Sequence, residues 1–116
     1  MAEEAYYSSL WPYEYVSVVT REQVLAAPVW RADRGHPPLA ARTAERLATS
    51  MFRKLPGNGL APDRSEIRLV DTGNGLHWFY VVRFTDLHSP VTGLPFSADI
   101  VVLMDGTVIE PKPPKK

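Results

Sequence analysis

Three histidines, His36, His77 and His88, are the side chains here best suited to hold a metal or relay a proton. His77 and His88 would lie on neighbouring strands with Asp86 between them, giving a nominal His/Asp/His ligand set. No spacing of the His-Glu-x-x-His kind fixes that geometry, and position 77 falls on a mixed strand face where a surface imidazole is ordinary. None of the serines sits in a Gly-x-Ser-x-Gly elbow. Asp99 and Asp105 could be drawn as paired carboxylates. Asp105, however, belongs to an Asp-Gly turn, and Asp99 takes the polar phase of its strand. The two Gly-Asn-Gly turns, at 57–59 and 73–75, lack the surroundings of a phosphate loop or a dinucleotide fingerprint. With no cysteine, disulfides, thiol catalysis and cysteine-ligated metals are excluded. The residues thus assign no catalytic, cofactor-binding or metal-binding position, and a non-catalytic role is expected.

Charge narrows the partners. Thirteen basic and 13 acidic residues cancel, so no bulk attraction to nucleic acid or anionic membrane is expected. A nucleic-acid stacking platform would need several aromatics on one sheet face. Phe79 and Arg83 share one face, whereas Trp78 and Tyr80 share the other. The charges are also unevenly placed. Residues 39–55 carry Arg42, Arg46, Arg53 and Lys54 against Glu45, while 61–110 carry seven acids against Arg64, Arg68 and Arg83. A basic helix lying on a more acidic sheet is the expected distribution.

The elements that position these residues are clearest at 76–110. In 76–85, Leu76, Trp78, Tyr80, Val82 and Phe84 alternate with His77, Phe79, Val81, Arg83 and Thr85. The first set is apolar throughout and should pack on a helix. A long connection, 86–96, leads to a strand in which Ala98, Ile100, Val102 and Met104 alternate with Asp99, Val101 and Leu103. Asp105-Gly106 is the strongest hairpin signal in the chain, returning through 107–109. A rougher strand is expected at 66–72, ended by the turn 72–75.

Upstream, the apolar residues of 39–55 (Ala40, Ala44, Leu47, Ala48, Met51, Leu55) recur at three- and four-residue spacing. Phe52 widens that stripe, Pro37-Pro38 precedes it and Pro56-Gly57 ends it. Thr20 with Gln23 matches a capping box, predicting a short helix over 21–27, with Trp30 in the following loop turned back to the core. Residues 13–20 suit a first strand. Residues 1–13, with Tyr6, Tyr7, Trp11 and Tyr13, read as an aromatic arm that packs on the domain or meets a partner. The tail 112–116 is basic, proline-rich and expected to be extended. Eleven prolines fall between the periodic segments and punctuate a fold of one domain over 1–116, made of an arm (1–37), a helix-plus-sheet body (38–111) and the tail.

The expected fold is α+β: one principal helix on an antiparallel sheet of about four strands, with a short N-terminal helix. Its second face (Phe79, Val81, Arg83, Val101, Leu103) is too apolar to stand bare and is expected to be covered by the arm or by another protein, self-association included. The alternative is a small-ligand-binding or enzymatic cone-shaped domain, with a pocket between helix and sheet lined by Met51, Trp78, Tyr80 and Phe84. No apolar run approaches the ~20 residues of a membrane-crossing helix. The acidic start lacks a secretory signal, so a cytoplasmic protein and a mature exported form are both compatible.

The stretches WFYVVRF (78–84) and ADIVVLMDGTVIEPK (98–112), with the helix before them, resemble the small helix-plus-sheet domains of the PepSY-like and cystatin-like group. The likeness covers about residues 38–111. It implies a bacterial protein, often exported, that binds or restrains partner proteins without cofactor or catalytic set. An immunity or antitoxin-like protein is a related alternative. The aromatic first 37 residues depart from that pattern.

Overall fold

The computed structural model describes residues 4–10, 13–33, 35–55, 64–73, 75–86 and 96–113. Five antiparallel strands form one sheet: β1 (Glu4–Leu10), β2 (Tyr13–Val19), β3 (Arg64–Asp71), β4 (Trp78–Asp86) and β5 (Phe96–Leu103), in the order β2-β1-β5-β4-β3. Two helices, α1 (Arg21–Ala26) and α2 (Ala41–Arg53), complete an α+β fold.

Strands β3, β4 and β5 form a regular meander. Leu69, Tyr80 and Val102 stand opposite one another across it, as do Ile67, Val82 and Ile100. These residues face α2. That helix buries Ala44, Ala48 and Phe52, one residue per turn, and the two alanines let its backbone approach the sheet closely. Phe52 stacks on Phe84 with ring centroids 4.7 Å apart. Phe52 is therefore the deepest anchor of the helix, while Leu47 and Met51 flank it half-buried. Arg42, Arg46 and Arg53 are exposed, as the periodicity predicts. Arg53 also places a cation in the last turn, where the helix dipole favours it.

The turns follow their local chemistry. At Thr20 the capping box forms as read: Gln23 N donates to Thr20 Oγ1 (3.3 Å), and Thr20 N donates to Gln23 Oε1 (2.9 Å). Gly106 takes φ of +89° beside Asp105, whose carboxylate accepts from Thr107 N at 2.9 Å. The chain then returns along β5, with Leu103 N donating to Thr107 O and Ile109 N to Val101 O. In the β3–β4 turn, Asp71 Oδ1 accepts from Gly73 N (2.9 Å) and Gly75 N (3.1 Å).

The N-terminal aromatic segment is the main departure from expectation. It is a full strand, β1, inserted between β2 and β5, which raises the sheet to five strands. Its alternation is hidden in the sequence because its inward residues are polar: Tyr6 and Ser8 turn inward while Ala5, Tyr7 and Ser9 are exposed. Ser8 Oγ accepts from Asp99 N (3.0 Å) and donates to Asp99 O (3.5 Å), so a hydroxyl satisfies backbone where a ladder bond would otherwise form. Tyr6 meets Phe79 edge-on at 6.0 Å. The β1–β2 hairpin thereby folds over the second face of the sheet. The tail also differs from a free extension, because Lys112 and Val16 exchange both backbone hydrogen bonds (2.9 and 2.7 Å), fixing the C-terminal segment to the outer edge of β2.

Candidate functional site

The residues expected to form a partner interface are interior. Phe79, Val81, Val101 and Leu103 are each no more than 2% exposed, since Tyr6 and the β1–β2 hairpin lie across them. Of the two covers considered, the arm or another protein, it is the N-terminal segment that lies over this face. Arg83 is the exception, half-exposed at the margin. Its Nε and Nη2 donate to Asp99 Oδ1 (2.8 Å) and Oδ2 (3.1 Å) as a two-pronged pair across β4–β5. The hydrogen bonds and charge of Asp99 hold the Arg83 guanidinium protonated beyond its ordinary range, with Glu66 adding to the effect from β3. Asp99, considered above as a carboxylate for acid–base work, is thus fully engaged with Arg83 and buried.

The residues expected to line a pocket between helix and sheet fill that space themselves. Tyr80 and Phe84 are buried, and the Tyr80 hydroxyl donates to Leu39 O at 2.7 Å. Burial raises the Tyr80 hydroxyl above the usual tyrosine range. Trp78 meets Trp30 edge-on at 5.3 Å, so the half-buried Trp30 rests on Trp78 at the margin of the core, and Met51 packs half-buried against the core cluster. Among the described residues no group of three His, Cys, Asp or Glu could hold a metal. His88 and the 87–95 connection lie outside the described residues.

Among the described residues, an open concavity lies elsewhere. Ala5 and Tyr7 of β1, Val16 and Val18 of β2, and Val108 and Lys112 of the returning C-terminal segment enclose a groove of about 780 Å³. Period-2 alternation sends these hairpin side chains outward, opposite the inward Tyr6, Tyr15, Ser17 and Val19. The floor is apolar while Gln23, Glu110 and Lys112 add polar groups. Tyr7 is 70% exposed and Val18 40%, although both carry large apolar surface. Tyr7 also borders a smaller depression of about 240 Å³ with Ser9, Glu14 and Ser97.

Sequence reasoning named the aromatic segment as a candidate contact but missed the groove, because its wall comes from three segments that only the topology brings together. The groove offers hydrophobic contact and a few hydrogen-bonding groups. Among the described residues, no hydrogen bond joins a hydroxyl of the groove to a base. No family model, no curated protein and no solved structure matches this chain.

Proposed function

We propose that the chain is a non-catalytic protein-binding module that takes an extended apolar segment of a partner in the groove between the β1–β2 hairpin and the C-terminal segment. The observation that carries this reading is the exposure of Tyr7 and Val18 on the wall of that groove. Tyrosine is enriched at contact sites because it contributes area at small entropic cost and keeps a hydroxyl for hydrogen bonding. The resemblance to PepSY-like and cystatin-like domains, which implies partner restraint without catalysis, agrees with this reading. The contact surface proposed is Tyr7, Val16 and Val18, since Phe79 and Leu103 are buried.

Capture of native-host proteins on the immobilised chain, compared with Tyr7→Glu and Val18→Asp variants, tests it. Both positions are exposed, so the variants should fold. A stoichiometric partner retained by the parent chain and lost from both variants is the expected result. Equal retention on all three, or no partner at all, rejects the groove.

A second reading rests on the groove's volume, which falls within the roughly 300–1,000 Å³ common for small-molecule sites. It opens broadly to solvent, and that favours a polypeptide over an enclosed ligand. Quenching of tyrosine and tryptophan fluorescence by small apolar probes, absent from the Val18→Asp variant, would reverse that preference.

A further inference from the structure

The far edge of the sheet is built differently from the groove and carries an independent inference. Among the described residues β3 pairs with β4 alone. Thr72 N donates to His77 O at 3.0 Å, in the same register that sets Asp71 opposite Trp78. In an antiparallel ladder, bonded and non-bonded positions alternate. Val70, Arg68 and Glu66 therefore direct their N–H and C=O towards β4, while Ser65, Ile67 and Leu69 direct theirs outward. The edge offers three consecutive outward donor–acceptor positions, with no strand beside them among the described residues.

We propose that a second copy of this chain adds to that edge, antiparallel, with Ile67 facing Ile67 of the second copy across a two-fold axis. In this register Ser65 stands opposite the second copy's Leu69, and the three outward positions exchange hydrogen bonds in both directions. Glu66 falls opposite the second copy's Arg68, and Arg68 opposite its Glu66, which makes two cross-strand ion pairs. The neighbouring registers are worse. One centred on residue 66 sets Glu66 against Glu66, and one centred on residue 68 sets Arg68 against Arg68. Charges on an edge strand ordinarily repel a foreign strand. Here they cancel in one self-pairing register and oppose its neighbours, so they select the chain's own copy.

Burial agrees. Ile67 and Leu69 are half-buried on the helix side of the edge, and Glu66 and Arg68 are exposed on the other side. An added strand would cover the first pair and neutralise the second. Both faces stay in phase because directly opposed residues point the same way. The product is a continuous ten-stranded antiparallel sheet, with the two α2 helices on one side and the grooves at its outer ends.

Sedimentation over a dilution series tests the proposal with four chains. The parent should reach twice its 13.0 kDa chain mass at high concentration. Arg68→Glu places like charges opposite each other twice and should weaken association about tenfold or more. Ile67→Pro removes an outward donor but no β4 ladder bond, so circular dichroism should remain that of the parent while the dimer is lost. The double exchange Glu66→Arg/Arg68→Glu restores complementarity within its own dimer but opposes the parent chain. It should self-associate and fail to form mixed dimers with the parent. A parent that stays monomeric at every concentration overturns the proposal. So does a dimer indifferent to Ile67→Pro and Arg68→Glu, or free mixing of the double variant with the parent.

Discussion

Arg83 and Asp99 show how an ion pair can stand in a mostly apolar layer. The Asp99 side chain is only 8% exposed, and its two oxygens take the two guanidinium prongs of Arg83. Removing the arginine leaves a carboxylate in low dielectric with its partner gone, and water reaches it only where Arg83 had been 41% exposed. Arg83→Ala should therefore cost about 2 kcal/mol of unfolding free energy. Urea unfolding measures this, and a loss below about 0.5 kcal/mol would show a pair as weak as an ordinary surface bridge. The tyrosine hydroxyls set a second dependence. Burial, reinforced by the adjacent Glu4 carboxylate, holds the Tyr6 hydroxyl far above the usual tyrosine range, and burial raises Tyr15 and Tyr80. Above about pH 10 the unfolded chain releases these protons first and the folded chain keeps them. The unfolded state then binds fewer protons, so stability falls as pH rises towards the folded values. A urea midpoint that stays level between about pH 9 and 11 would contradict this, and Tyr6→Phe should flatten the fall.

The β1–β2 hairpin is the element that decides which sheet face is surface. Phe79, Val81, Val101 and Leu103 were readable as one apolar stripe, but the stripe alone does not say what lies over it. The cover was hard to read because β1 turns Tyr6 and Ser8 inward and β2 turns Ser17 inward, so apolar periodicity fails where the strand is most buried. Ser8 suits this layer because the backbone of Asp99 gives it a partner, whereas the buried Ser17 Oγ has none among the described residues. By contrast α2, β4, β5, the Asp105-Gly106 turn and the Thr20 capping box were legible, since each rests on local spacing or on one residue's conformational preference. Phe79→Asp and Leu103→Asp should thus abolish folding instead of merely weakening a contact, because each buries an unpaired charge. Circular dichroism would show lost structure. A folded Phe79→Asp variant would mean that the hairpin lifts away readily. Loss of the capping hydroxyl in Thr20→Ala should cost about 1 kcal/mol, measurable by thermal or urea unfolding.

Across the molecule, protection should follow the strand order. β5 is flanked by β4 on one edge and by β1 and the returning 107–109 segment on the other, whereas β3 has one described neighbour. Native-state hydrogen exchange should find the slowest amides at Val81, Val82 and Ile100–Val102, with opening free energies near that of global unfolding. Protection concentrated in α2, with β5 exchanging quickly, would contradict a sheet-centred core. The candidate site was the least legible feature of all. Tyr7 was visible as one aromatic of an arm that packs on the domain or meets a partner, but the groove depends on residues near 5–7, 16–18 and 107–112 meeting in space.

The two backbone bonds between Val16 and Lys112 bear on the order in which the chain is made. β1 and β2 leave the ribosome well before their partners, β5 and the segment at 112. Until then Tyr6, Tyr15 and Val19 have no layer to cover, and the nascent hairpin must wait with its inner face open. Folding of this sheet is consequently completed only after its last strand is made, and until then the early hairpin keeps apolar surface open to premature association.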